Sequence, residues 1–312
     1  MVLFNIEKTK THKYITIFGI KIKIKRKKRV SYLTEEHLFT ILNTLMDIKD
    51  CPKAKGKLRK LQLADTLLLK IFHDICEKHN LNYWLIDGTL LGAIRHNGFI
   101  PWDDDLDIAI SYDSYDKLVE ILKEEFKNTN FIMYGIDKSR FGNATLRISH
   151  KNFEKLNLDI FYYHPSKLHI SDKEYVENKR NEYRKIYYKK YSKVRKNENY
   201  EILKNFRLEI DTPFEKDIQA VPLEESNTLV NQISSNFQFL DTNWVFPVIK
   251  HKFEDFEFYI PNNYDKVLSE CYGDYFSFPP NIAHHGSLFK EFNEEDIDKI
   301  IEELKQYIAN KV

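Results

Sequence analysis

Asp103, Asp104, Asp105 and Asp107 place four carboxylates within five residues. Like charges at that spacing repel, and a fold holds them only where something neutralises them. The run leads straight into Ile108-Ala109-Ile110, which reads as a buried strand, so hydration alone is a poor neutraliser. Hard oxygen ligands of this kind suit magnesium or manganese. Asp105 and Asp107 are two apart on that strand and project from one face, with Leu106 and Ile108 packing behind. Metal ions held this way neutralise charge developing in phosphoryl transfer. Asp159, an acid embedded in the apolar run Leu158-Asp-Ile-Phe161, is the candidate third carboxylate. It would complete the metal site or act as a base.

Upstream, Asp87-Gly88-Thr89 breaks an apolar strand and opens a helix. Such a junction offers backbone N–H groups and a hydroxyl to a phosphate. Arg95, a fixed multi-donor cation, follows on the same helix and is a second phosphate candidate. His96 could also reach phosphate but reads first as a positioning or surface residue, and Trp102 reads as a wall of the core, with stacking on a base as the alternative role. His284-His285 reads as surface, with acceptor binding as the alternative role.

The elements that must carry these residues are legible from periodicity. Leu61, Ala64, Leu68, Ile71 and Ile75 mark a helix over 57–80. Strands follow at 82–86, 106–110, 131–136, 144–149 and 158–163, with helices at 90–95 and 115–126. This is a mixed α/β domain over 57–165. Residues 171–206 turn rich in lysine, glutamate, asparagine and tyrosine and read as one or two exposed helices; Tyr183–Tyr191 could face a polyanion but reads first as a solvated helix face. A strand at 253–260, a turn at 261–264 and an amphipathic helix at 297–308 close the chain. The division expected is a basic arm over 1–56, a catalytic core over 57–165, a mostly helical insertion over 166–240 and a completing segment over 241–312.

Ile20, Ile22 and Ile24 alternate with Lys21, Lys23 and Lys25, the pattern of a strand with one basic face, and Gly19 stands where a hairpin would turn. Residues 21–29 hold seven Lys or Arg. That run reads as an edge strand protected by lysines, or as a contact for an anionic membrane face around residues 20–29. A formal net charge of +1 gives no global attraction to nucleic acid. Cys51, Cys76 and Cys271 make neither a disulfide framework nor a metal spacing, which fits a reducing compartment. No apolar run reaches the roughly 20 residues of a membrane span, and no secretory signal is visible. The expectation is a cytoplasmic protein, peripheral at most to the inner membrane face.

The joined motifs Asp87-Gly-Thr-Leu-Leu-Gly-Ala-Ile-Arg95 and Phe99-Ile-Pro-Trp-Asp-Asp-Asp-Leu-Asp107 resemble the signature of the LicD family, which includes the fukutin-related proteins. Cys76–Trp84, Pro261–Asp265 and Tyr272-Gly-Asp274 are similar to that family as well. The resemblance implies a nucleotidyltransferase-like mixed sheet flanked by helices, with a helical insertion and a C-terminal extension. It implies transfer of a phospho-alcohol group from a CDP-activated donor to a sugar hydroxyl of a glycan, with release of CMP. Asp105, Asp107 and Asp159 would bind Mg2+ or Mn2+, supported by Asp103 and Asp104, and Asp159 could instead deprotonate the acceptor hydroxyl. Asp87, Gly88, Thr89 and Arg95 would line the donor's phosphate site. The scattered cysteines cannot form the structural zinc loop that fukutin-related proteins can carry.

Two rival classes remain at this level: a metal-dependent glycosyltransferase using a nucleotide sugar, and a non-catalytic glycan-binding homologue. Asp87-Gly-Thr-Leu90 is superficially similar to the haloacid dehalogenase motif, but the required aspartate two residues earlier is Leu85.

Overall fold

The computed structural model describes residues 43–134, 146–178, 215–231, 238–278 and 292–311, the backbone of three N-terminal strands, and a few isolated positions. Those strands, β1 (Phe4–Lys8), β2 (His12–Ile17) and β3 (Ile20–Lys25), form a separate antiparallel sheet in which Ile15 faces Ile22 and Thr16 faces Lys21 across the ladder. The expected hairpin is therefore three-stranded, while Gly19 and residues 26–29 lie outside the described residues.

Helix α1 (Lys57–His79) opens the domain. Its buried positions Leu61, Ala64, Leu68, Phe72 and Ile75 recur at helical spacing and form one apolar stripe. Asn80, in the left-handed conformation with φ +52°, ends it by donating its N–H to the Cys76 and Glu77 carbonyls. Strand β4 (Tyr83–Leu85) is buried throughout and passes directly into α2 (Asp87–His96). Strand β5 (Leu106–Ser111) is buried except at Asp107, and α3 (Tyr115–Glu125), β6 (Phe131–Tyr134) and β7 (Leu146–His150) follow.

The long strand β8 (Phe153–Ser166) organises the main sheet. It runs parallel to β5 and antiparallel to β7, with β4 outside β5 and β6 outside β7. Its C-terminal end pairs with β9 (Thr228–Asn231), which pairs with β10 (Gln238–Asp241). Residues 228–231 and 238–241 thus extend the sheet, although composition places residues 166–240 in a mostly helical insertion. Leu229, Val230, Phe239 and Leu240 are fully buried, which drives this short pair onto the core. Within 171–206, residues 173–178 are helical, and Tyr183, Tyr187, Tyr188 and Tyr191 lie outside the described residues.

The sequence expects a hairpin strand over 253–260 with a turn at 261–264. The chain instead folds back at Glu254-Asp255, so that β11 (Ile249–Phe253) pairs with β12 (Phe256–Ile260). A four-residue helix, α4 (Thr242–Val245), precedes this hairpin; α5 (Tyr264–Tyr272) and α6 (Glu294–Lys311) complete the fold. Helix α6 lies along α1, and Ile297, Ile300 and Leu304 join the core that α1 and the sheet share.

Glu254 ties this C-terminal part to the site-bearing loop. Its buried carboxylate accepts from Lys53 Nζ at 2.6 Å, from Arg59 Nη1 and Nη2 at 2.9 and 2.7 Å, and from the Phe99 N–H at 3.2 Å. Burial alone would raise its pKa, but the Arg59 and Lys53 hydrogen bonds outweigh that and bring it down to about 2.

Candidate active site

The site begins at the junction of β4 and α2. Ile86 donates its N–H to the Asp107 carbonyl at 3.2 Å, so β5 is held against the start of the turn. Asp87 then takes φ +45°, a left-handed conformation that short polar residues tolerate better than others. Gln238 Nε2 donates to Asp87 Oδ1 at 2.5 Å, and Gln238 Oε1 accepts from the Tyr163 hydroxyl. Burial, partly offset by that Gln238 bond and reinforced by the Asp105 charge, raises the Asp87 pKa to about 6.

Gly88 faces Asp103 closely: a Cβ added there would stand 2.7 Å from Asp103 Oδ2. Glycine is needed because the acid approaches the helix backbone itself. The buried Thr89 hydroxyl accepts the Asp107 N–H at 2.8 Å. Its oxygen thus fixes β5.

Three carboxylates, Asp103, Asp104 and Asp105, bring oxygen atoms within 4.8 Å of one another. Asp103 and Asp104 are almost wholly buried, whereas Asp105 and Asp107 keep partial access to solvent. Alternation explains this: Leu106 between them and Ile108 after Asp107 are fully buried, so Asp107 and Asp105, which immediately precedes β5, share the open side. Gln62 Nε2 holds the preceding loop by donating to the Asp103 carbonyl at 2.9 Å and the Ile100 carbonyl at 3.3 Å. Burial, then the charges of Asp105, Asp87, Asp159 and Asp103, push the Asp107 pKa well above the usual carboxylate range. Behind the group, the fully buried Asp65 accepts the Asn157 N–H at 3.4 Å through Oδ1, while Oδ2 has no partner. The oxygens of Asp103, Asp104 and Asp105 make a donor set suited to a hard divalent cation, and Asp107 and Asp159 are not part of that converging group. The repulsion they share is what such an ion relieves.

Asp159 is the direct neighbour of Asp107 in the parallel pairing of β8 with β5. On its other side Arg147 of β7 occupies the facing position and grips the carboxylate with two nitrogens, Nε and Nη2, the latter at 2.6 Å. Asp159 is therefore a mid-strand acid with a fixed counter-ion. A cavity of about 280 Å³ opens here, lined by Leu61, Asp104, Asp105, Arg147, Asn157 and Phe292. From α5, the 39% exposed Tyr272 stands near the same acids, with the charges of Asp87, Asp107 and Asp103 acting on its phenol.

Arg95 stands apart from this acid group. Its Nη1 donates to the Tyr275 carbonyl at 2.8 Å, and it lines a different cavity near the C-terminal end of α2. His96 Nε2 bonds the Ile48 carbonyl at 3.1 Å, a positioning contact. Trp102 stacks on Phe278 with ring centroids 6.5 Å apart and walls the core. His284 and His285 lie outside the described residues.

Sequence patterns do not point to three residues found here, Arg147, Gln238 and Asp65, and Tyr272 stands out only as part of the Tyr272-Gly-Asp274 motif, with no role attached. Arg147 left a trace, a lone cation between the buried Leu146 and Ile148 that demands an acid opposite. Gln238 left none, because its contact with Asp87 joins residues 151 positions apart.

Among the described residues no helix is long and apolar enough to cross a membrane. Residues 80–199 match the model of the LicD/FKTN/FKRP nucleotidyltransferase domain. The chain is similar to the lipopolysaccharide cholinephosphotransferase LicD of Haemophilus influenzae, 27% identical over 265 residues that cover 72% of this chain and 94% of that one. A 100-residue stretch is 39% identical to the uncharacterized protein RP689 of Rickettsia prowazekii, covering 32% of this chain and 33% of that protein. A 36-residue stretch is 50% identical to the human ribitol 5-phosphate transferase FKRP, 12% of this chain and 7% of that protein.

Proposed function

We propose that this chain, whose residues 80–199 match the LicD/FKTN/FKRP nucleotidyltransferase domain, transfers a phospho-alcohol group, such as phosphocholine or ribitol phosphate, from a CDP-activated donor to a sugar hydroxyl of a glycan. The observation that carries this reading is the acid group itself. Asp105 and Asp107 share the open face of β5, Asp103 and Asp104 adjoin them, and Asp159 lies directly beside Asp107. These carboxylates would hold magnesium, which when bound neutralises charge on the phosphate oxygens and aligns the attacking and leaving atoms.

The chain's own residues supply the rest. The acceptor oxygen attacks the phosphorus distal to cytidine, the bond from that phosphorus to the bridging oxygen breaks, and CMP leaves with the electron pair. The hydroxyl proton needs a base near neutrality. Asp87 suits that role, because Gln238 holds one of its oxygens and its pKa of about 6 keeps it ionised at pH 7 yet able to accept a proton. Thr89 anchors β5 through the Asp107 N–H, and Gly88 leaves room for Asp103.

The test is incubation with magnesium and a panel of CDP-alcohols and nucleotide sugars, with identification of the released nucleotide. CMP from a CDP-alcohol is the expected product. UDP or GDP from a nucleotide sugar would overturn the reading in favour of a glycosyltransferase.

A further inference from the structure

A cavity of about 750 Å³ lies against the C-terminal end of α2, and none of its lining residues belongs to the acid group. Its walls carry Lys49, Arg95, His96, Asp265, Tyr275 and Phe276. Arg95 is 6% exposed and, among the described residues, makes one hydrogen bond, from Nη1 to the Tyr275 carbonyl, while its Nε is buried without a partner there. A buried guanidinium that lacks a counter-ion is costly, and oxyanions match its donor geometry. Lys49 adds a second cation on the rim, its amine 4.3 Å from the exposed Phe276 ring. Asp265 is the acid among the lining residues of this cavity.

The same walls also offer acceptors. His96 Nε2 must carry its proton to reach the Ile48 carbonyl, so Nδ1 is the unprotonated nitrogen, and it is buried without a partner. Burial, then the charge of Arg95, lower the His96 pKa to about 4, which keeps the ring neutral at physiological pH. Asp265 accepts from the Tyr275 hydroxyl at 2.7 Å and is held facing the same space. Two cations beside the fixed Asp265 carboxylate suit a ligand that carries both an anion and hydroxyl groups.

We propose that this cavity is a second, metal-independent oxyanion site that takes the phosphate group of a hydroxyl-bearing organic ligand. Two sources share that chemistry: the diphosphate of a nucleotide, and the phosphate of a phosphorylated sugar. The proposal stands on the cavity and does not need the transferase reading to be correct.

Isothermal titration of the full chain with CDP and with glucose 6-phosphate, in EDTA so that no metal-dependent site contributes, tests it. The expected result is saturable binding of at least one probe, weakened about tenfold or more by Lys49→Ala and by Arg95→Gln. Binding of CDP alone assigns the site to a nucleotide, and binding of the sugar phosphate assigns it to a second ligand. Lys49 is exposed, so Lys49→Ala and Lys49→Glu keep the test decisive even where Arg95→Gln fails to fold. Absence of saturable binding by either probe, or binding unchanged in the Lys49 variants, would overturn the proposal. Because the readout is binding without metal, its failure is separate from any failure of CMP release.

Discussion

Arg147 and Asp159 face each other across the antiparallel pair β7–β8, and the guanidinium grips both carboxylate oxygens beside Asp107. One of the crowded acids thus has a permanent counter-ion within the sheet. Around Asp107 the neighbouring carboxylates instead oppose ionisation, and that imbalance sets the behaviour of the site.

Removing the cation from the Arg147–Asp159 pair leaves a nearly buried charge next to further acids. Arg147→Met is expected to lower stability by about 3 kcal/mol and to abolish turnover. The double variant Arg147→Met/Asp159→Leu removes both charges and should regain most of the stability, since apolar replacements of buried ion pairs are often neutral. It should remain inactive. Urea melts of the two variants alongside CMP-release assays check both halves, and an inactive double variant no more stable than Arg147→Met would refute the charge argument.

Asp107 lies among Asp105, Asp87, Asp159 and Asp103, whose charges raise its pKa. Asp107→Asn should therefore abolish turnover while leaving the melting temperature equal to or above that of the parent chain. Added magnesium should raise the melting temperature of the parent more than that of the variant, because a ligand stabilises only the state that binds it. Equal shifts in thermal melts would count against Asp107 as a metal ligand.

The pH profile should report Asp87. As the base it must be ionised, so the rate should climb as pH rises through about 6. The Gln238 hydrogen bond favours the charged form and draws that pKa down. Gln238→Leu removes it, and the acidic limb of the rate profile should move to higher pH. A limb that stays in place would show that Asp87 is not the titrating base.

Two glycines of α2 should separate stability from activity. A Cβ on Gly92 would stand 2.4 Å from the Gly98 carbonyl oxygen and 3.0 Å from the Ile100 nitrogen, both backbone atoms. Gly92→Ala is expected to cost about 1–3 kcal/mol by overpacking. At Gly88 the nearest atom is the end of the Asp103 side chain, which can swing aside. Gly88→Ala should keep its melting temperature and lose activity through the displaced acid. Thermal melts and turnover of the two variants give the comparison.

Acid stability should depend on Glu254, whose folded pKa of about 2 lies below its ordinary 4.5. A lowered folded value stabilises the fold above pH 4.5 and loses that contribution as pH falls from 4.5 toward 2. At 1.36 kcal/mol per unit the contribution at neutral pH is about 3 kcal/mol. Glu254→Gln should flatten the acid side of the stability curve, measured by denaturant melts between pH 7 and 3.

The acids of the site were legible in sequence because their signal is local. Asp105, Leu106, Asp107 and Ile108 alternate within one strand, and period-two alternation decides which side chains share a face before any partner strand is known. Gly88 and Thr89 stood out as a strand-to-helix turn for the same reason. Their roles did not follow from that turn: a Cβ at Gly88 would stand 2.7 Å from Asp103 Oδ2, and Thr89 spans to the Asp107 N–H. Arg95, close in sequence to the motif, lies on a separate cavity because the Tyr275 carbonyl draws its guanidinium there.

By itself, then, the sequence determined the elements of the core, the strand that presents Asp105 and Asp107, and the resemblance that the family match bears out. Tertiary structure alone decided what surrounds those acids. The register of β8 against β5 and β7 sets Asp159 between Asp107 and Arg147, and the folding of β10 onto β9 delivers Gln238 to Asp87. The physical reason is range: alternation and capping act between residues a few positions apart, whereas an ion pair or hydrogen bond across a sheet exists only once the register has been chosen.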